Sequence, residues 1–448
     1  MSKTLIISII ILLIIGNIDC QYIVLKFKTN IDLDSLNKEN YMKSVIEQQI
    51  YVDLKIGESE QKIPMTLKSM KYPTFIVSSK AKEDDIKIKY DESISKNSLK
   101  YLSEDEIKNL FIYDFSQGYY VSDTLSINKS FSYDSFSYIL ATKMNGIVKN
   151  ISGEIGFSKN LVNKTNYIYP QKTNFIEQLF NNNLIHKKMF GIKYDSEYEG
   201  RLILGASLDE VDSAYKSDEQ ILNKIDNDVP NNNKDEWLIK FNVNFNTNDA
   251  EKYSESSYGF LQIENGLIIG SSIYYQNFIS NYFEKKKCSK NTIKSSSYSF
   301  YQFTCDNKNQ FDDFPDLNLS FENRYNFTFK KSDLFKKKEN QYFFLIIFQV
   351  SQININYWRL GQLFFRKYPT FLINDGKTGE FLYYAINKES GGGNLGLIIA
   401  LSIIIPLIII CAVAFLIFHY RKRNKKSEEL LTGSTEGKND DSYPIIDN

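Results

Sequence analysis

Apolar and polar residues alternate with period two along much of the chain. Ile50–Ile56 reads IYVDLKI, Ile86–Tyr90 reads IKIKY and Leu238–Val243 reads LIKFNV. Alternation of this kind predicts strands with one buried face. Segments with helical spacing are few; Phe175–Leu184 is one and Tyr274–Glu284 another. From Asp209 to Glu236 apolar residues thin out among Asp, Asn and Lys, which predicts a polar surface crossing. No solenoid-type repeat is present. The expectation is an all-β, bilobal fold with few short helices. Its lobes are expected at 21–206 and 237–387, joined by a polar loop at 207–236.

Two apolar runs bracket these lobes. Leu5–Gly16 is short, follows Lys3 and ends near Cys20, which predicts a signal peptide over 1–20. Leu395–Phe418 is uncharged, contains Pro406 and is followed by Arg421-Lys422-Arg423 and Lys425-Lys426. Its length suffices to span a bilayer, and the basic cluster marks the cytoplasmic side. Residues 388–394, with Gly391-Gly392-Gly393, form a linker. The expectation is a single-pass type I membrane protein of the secretory and endolysosomal system or cell surface. Its ectodomain is lumenal or extracellular, its transmembrane helix is 395–418 and its cytoplasmic tail is 419–448. In the tail, Tyr443-Pro444-Ile445-Ile446 fits a coat-adaptor sorting signal through Tyr443 and Ile446. Asn128, Asn150, Asn163, Asn318 and Asn326 each begin an N-glycosylation sequon. With Cys20 and Cys411 assigned to the termini, Cys288 and Cys305 remain as an even ectodomain pair, predicting one disulfide.

Composition narrows the chemistry. At 448 residues the chain is too long for one compact domain. Lys+Arg and Asp+Glu are both 54, so the basic excess of a nucleic-acid binder is missing. Only two histidines, His186 and His419, occur, which argues against His-dependent metal sites and Ser-His or Cys-His catalysis. No cofactor and no metal is expected.

A series of motifs in order resembles the pepsin-like aspartic peptidases. Gln49–Gly57 is similar to the family's first strand pair, and Gln61–Leu67 to the strand entering the first catalytic loop. Ile112–Gly118 resembles the flap hairpin, which implies that Tyr113 leans over the cleft. Ser122-Asp123-Thr124-Leu125, Ser152–Phe157 and Gly200–Gly205 continue the likeness. In the second half, Cys288 and Cys305 are spaced like that lobe's disulfide. Trp358-Arg359-Leu360-Gly361-Gln362-Leu363-Phe364 resembles Trp-x-Leu-Gly-Asp-x-Phe.

The departures fall on the chemistry. The family places one Asp in each lobe, within Asp-Thr-Gly or Asp-Ser-Gly, and the two share a proton. Neither tripeptide occurs in this chain. Counting from Gly57 puts Lys68 at the first Asp position, followed by Ser69-Met70. In the second loop, anchoring on Gly266 puts Glu264 there; anchoring on Leu267-Ile268 and Gly270 puts Gln262 there. The first register predicts a Lys68–Glu264 ion pair across the lobes. The resemblance therefore implies a catalytically degenerate member, more a binder of extended peptides or proteins than an enzyme. An endopeptidase using displaced acids and a structural surface protein are the alternatives.

Overall fold

In the computed structural model the described residues lie between 22 and 384. Excepted are 32–35, 70–72, 82–87, 92–98, 102–114, 129–130, 145–151, 158–172, 216–219, 225–236, 247–251, 296–297, 322–324, 351–356 and 375–378. The expected signal peptide, linker, transmembrane helix, tail signal at Tyr443 and Ile446, Tyr113, Asn150 and Asn163 all lie outside them, as does the side chain of Asn128. No helix among the described residues is long and apolar enough to cross a membrane.

Among the described residues strands dominate, arranged in one 13-stranded and one 11-stranded sheet. The hairpin read from the sequence is present: Ile50–Ile56 pairs with Gln61–Lys68, Tyr51 opposite Thr66 and Ile56 opposite Gln61. Every second residue of Ile50–Ile56 is buried. Gly57 opens the turn at φ +79°, and an added Cβ would sit 2.8 Å from the Tyr90 hydroxyl, so the backbone there needs glycine. Beyond it, Phe115–Asn128 and Phe131–Met144 form a long, bulged hairpin. Phe175–Asn181 is a helix capped by Asn174. The second helical stretch begins as α-helix at Ser272–Tyr274, widens to a π-helix over Tyr275–Ile279 and returns to α over Ser280–Lys285. Of the expected strand Ile86–Tyr90, Tyr90 makes a single bridge to Ser78.

Two findings correct the expected boundaries. Residues 207–236 are not wholly loop. Leu208–Val211 is a helical turn closed by a reciprocal Ser207–Glu210 capping box, and Gln220–Lys224 is a strand paired with Gly379–Tyr384. Nor does 237–387 stay within the second lobe. Thr370–Asn374 pairs with Met189–Tyr194, so the last strands complete the first lobe's sheet. Gly191 permits this, because any Cβ there would run into the Phe371 ring.

Two elements precede the recognised motifs. Ile23–Thr29 buries Ile23, Leu25 and Phe27 on one face and lies between Glu199–Leu204 and Ile50–Ile56. The helix Lys38–Ile46, capped by the Asn37 side chain, buries Tyr41, Met42 and Val45 against Leu267, Ile269 and Phe343 of the second lobe.

The main core is rich in aromatics. Phe157 stacks on Phe190 with ring centroids 4.4 Å apart, and Phe190 meets Trp237 edge-on. Cys288 and Cys305 are bonded, joining the end of the helical segment to the strand Ser299–Cys305. On the chain-entropy model, closing this loop contributes roughly 3 kcal/mol. The double variant Cys288→Ala/Cys305→Ala should therefore unfold at lower denaturant by about that amount, and thiol labelling of the native chain should find neither cysteine.

Candidate functional site at the lobe junction

The two halves repeat one local arrangement, and the repeat identifies corresponding loop positions. In the first, Gln61–Lys68 runs parallel to Gly153–Gly156, with Thr66 opposite Glu154 and Lys68 opposite Gly156. Phe75 also meets Glu154, antiparallel. In the second, Lys252–Leu261 runs parallel to Tyr357–Leu360, with Phe260 opposite Arg359 and Leu261 opposite Leu360. Ile269 also meets Arg359, antiparallel. Glu154 and Arg359 therefore correspond, as do Leu67 and Leu261, and the next residues are Lys68 and Gln262.

This settles the second loop's register on Gln262 and corrects the anchoring on Gly266. Gly266 has a different reason to be glycine: a Cβ there would run into the Val45 carbonyl at the end of the Lys38–Ile46 helix. It permits close packing and does not mark the counterpart of the first loop's turn.

The expected Lys68–Glu264 ion pair is absent. The Lys68 ammonium lies 3.6 Å from Glu154 Oε1, with side-chain exposures of 13% and 2%. Glu154 is on the neighbouring parallel strand of the same lobe, so this pair is local to one sheet. Glu264 crosses the junction instead. Its Oε2 accepts from the Ser69 hydroxyl at 2.7 Å and from the Ser69 backbone N–H at 3.1 Å. The Ser69 hydroxyl also accepts from the Ile263 N–H at 3.3 Å. Ser69 is fully buried, and these bonds satisfy its polar groups while tying one loop to the other. Met70 lies outside the described residues.

Gln262 is turned into its own loop. Its backbone N–H donates to Leu360 O at 3.0 Å, its carbonyl accepts from Asn265 N, and its side-chain oxygen accepts from Asn265 Nδ2. Of the two corresponding positions, one thus carries a cation held by a buried carboxylate and the other a neutral amide.

Three further residues join the halves, and none was singled out from the sequence as doing so. Gln362 stands where the family motif has Asp, and it is fully buried. Its Nε2 donates to Gln48 O at 3.0 Å and to Ile263 O at 3.2 Å, while its Oε1 accepts from the Tyr194 hydroxyl at 3.2 Å. Arg366 donates to Gln48 Oε1 at 2.6 Å and lies over the Tyr194 ring. Burial pushes the Tyr194 phenol well above its ordinary value, with Arg366 pulling the other way. Trp237 Nε1 donates to Phe157 O at 2.8 Å. In the sequence Trp237 is the residue just before the alternating stretch Leu238–Val243.

The strand Phe115–Asn128 carries a buried polar group. Asp123 is fully buried, accepts from the Tyr90 hydroxyl at 2.5 Å and from the Thr124 N–H at 2.7 Å. Burial, and then the nearby Tyr90 and Asp123, drive the Tyr138 phenol far upward. Among the described residues no group of three or more His, Cys, Asp or Glu is placed to hold a metal ion.

The family model for eukaryotic aspartyl protease matches residues 49–378. No curated protein matches the chain. The matched span includes the paired strands, both junction loops, the disulfide and the Trp358–Phe364 motif. The chain belongs to the eukaryotic aspartyl protease family.

Proposed function

We propose that this family member has lost acid-dyad catalysis and acts as a membrane-anchored binding module. Its lumenal or extracellular cleft would hold an extended peptide or protein segment, and its tail would engage a coat adaptor. The observation that carries the reading is the Lys68–Glu154 pair at the first dyad position. Peptide hydrolysis in this family needs two carboxylates that share one proton, one activating water while the other donates. An ammonium has no lone pair to accept that proton and no acceptor for water. The amide of Gln262 cannot supply the second carboxylate. Glu264, the acid of the second loop, is committed to two hydrogen bonds from Ser69.

Binding does not need the dyad. Extended peptides are held by backbone hydrogen bonds and side-chain pockets. The ties through Ser69–Glu264, Gln362 and Trp237 hold the two halves in a fixed relation, which keeps such a cleft preorganised. The purified full chain should show no pepstatin-sensitive cleavage of a peptide library or a haemoglobin-like substrate at any pH from acid to neutral. Immobilised, it should retain a subset of the same library. Pepstatin-sensitive turnover above a contaminant control would refute the reading in favour of displaced acids. Neither turnover nor retention would leave a structural surface protein.

A further inference from the structure

Two of the five sequons are interlocked on neighbouring strands. Asn318-Leu319-Ser320 lies on Leu317–Phe321, and Asn326-Phe327-Thr328 on Tyr325–Phe329. The antiparallel register sets Asn318 opposite Thr328 and Ser320 opposite Asn326. Each asparagine accepts from the other sequon's hydroxyl. Thr328 Oγ1 donates to Asn318 Oδ1 at 2.6 Å, and Ser320 Oγ donates to Asn326 Oδ1. Leu319 and Phe327, the middle residues, are fully buried, so strand alternation puts both asparagines on the outer face.

The two positions are not equivalent. Leu317–Phe321 is an inner strand, with Leu238–Asn246 on its other side and Asn244 opposite Asn318. Asn244 donates to Ser320 Oγ at 3.1 Å and accepts from Ser254 Oγ at 2.8 Å. Asn318 is thus half-buried, flanked by Asn244 on one strand and Thr328 on the other. Tyr325–Phe329 is the edge strand of its sheet, and Asn326 is exposed. Its carbonyl oxygen is anchored at the end of the side-chain ladder, which leaves its Nδ2 for solvent.

We propose that Asn326 is the glycan-bearing asparagine of this pair and that Asn318 stays unmodified. The assignment rests on the lumenal or extracellular placement of the ectodomain. In the transfer, Asn326 Nδ2 attacks the anomeric C1 of an oligosaccharide carried on a lipid pyrophosphate. The C1–Nδ2 bond forms, the C1–O bond to pyrophosphate breaks, and the lipid pyrophosphate leaves. The proton lost by the amide passes to a base of the transferase. In the folded product the glycan projects from the sheet edge, while a glycan on Asn318 would have to displace the Thr328 and Asn244 side chains.

The test is site mapping on the full chain made in a eukaryotic secretory host. Enzymatic deglycosylation in heavy-oxygen water converts each occupied Asn to labelled Asp. Label is expected at Asn326 and not at Asn318. On gels, Asn326→Gln should remove one glycan increment, while Asn318→Gln and Ser320→Ala should leave mobility unchanged. Label at Asn318 overturns the proposal. So does an unlabelled Asn326 when Asn128, Asn150 or Asn163 is labelled, which faults the site assignment alone. An absence of label at all five sequons overturns it through the placement of the ectodomain.

Discussion

Lys68→Met should lower the stability of the folded chain by about 3–5 kcal/mol, the usual cost of removing one partner of a buried ion pair. Methionine matches the lysine stem in length, so packing is largely kept and the charge is what disappears. Glu154, 2% exposed, then loses the ammonium that offsets its charge. The check is denaturant unfolding of the purified full chain, followed by the double variant Lys68→Met/Glu154→Leu. The double variant should regain most of the loss, because replacing both charges with apolar groups of similar volume is often neutral or better. If Lys68→Met alone unfolds with the wild type, the pair contributes little to the stability of the fold.

Trp237→Ala should cost about as much, roughly 3–5 kcal/mol for emptying a fully buried aromatic site. Trp237 is 1% exposed and closes the junction from the second lobe. Its ring meets Phe190, and its Nε1–H donates to the Phe157 carbonyl. With Phe157, Asn174, Ile176, Lys188, Phe190, Leu372 and Asn374 it lines a small, partly open gap, which alanine would enlarge. Trp237→Phe separates packing from polarity. It keeps most of the ring volume but removes the donor to a buried carbonyl, for a loss of about 1–3 kcal/mol. The chain has two tryptophans, so in each variant the emission of the remaining one, Trp358, follows denaturant unfolding and gives the stability. Equal stability of the alanine variant would show that the junction does not depend on this side chain.

Much of the fold was legible in the chain because strand alternation and turn glycines are local signals. Ile50–Ile56, the turn at Gly57, Ser152–Phe157, Phe175–Asn181 and the Trp358 motif all fall where the pattern put them. The start of the chain was passed over although Ile23, Leu25 and Phe27 alternate cleanly; the neighbouring apolar run drew the reading. The Lys38–Ile46 helix gives a weaker signal, since it buries only three side chains. The junction was half legible. Lys68 followed from a gapless count. Its partner did not, because Glu154 lies opposite Thr66 on a parallel strand, and ladder register is not written in either strand alone. Gly266 misled for a physical reason: a glycine required by close packing looks the same in sequence as one required by a turn.

The closing strands at 370–384 have a consequence for the order in which the protein is made. Met189–Tyr194 gains its outer neighbour only from Thr370–Asn374, and Gln220–Lys224 pairs with Gly379–Tyr384. While the chain emerges N-terminus first, the first lobe can assemble its early hairpins. Its sheet keeps an open edge next to Phe190 and Ile192 until residues 370–374 have been synthesised. An unpaired apolar edge held open that long is a template for wrong pairing between nascent chains. Vectorial synthesis therefore leaves this edge open to mispairing until Thr370–Asn374 arrives.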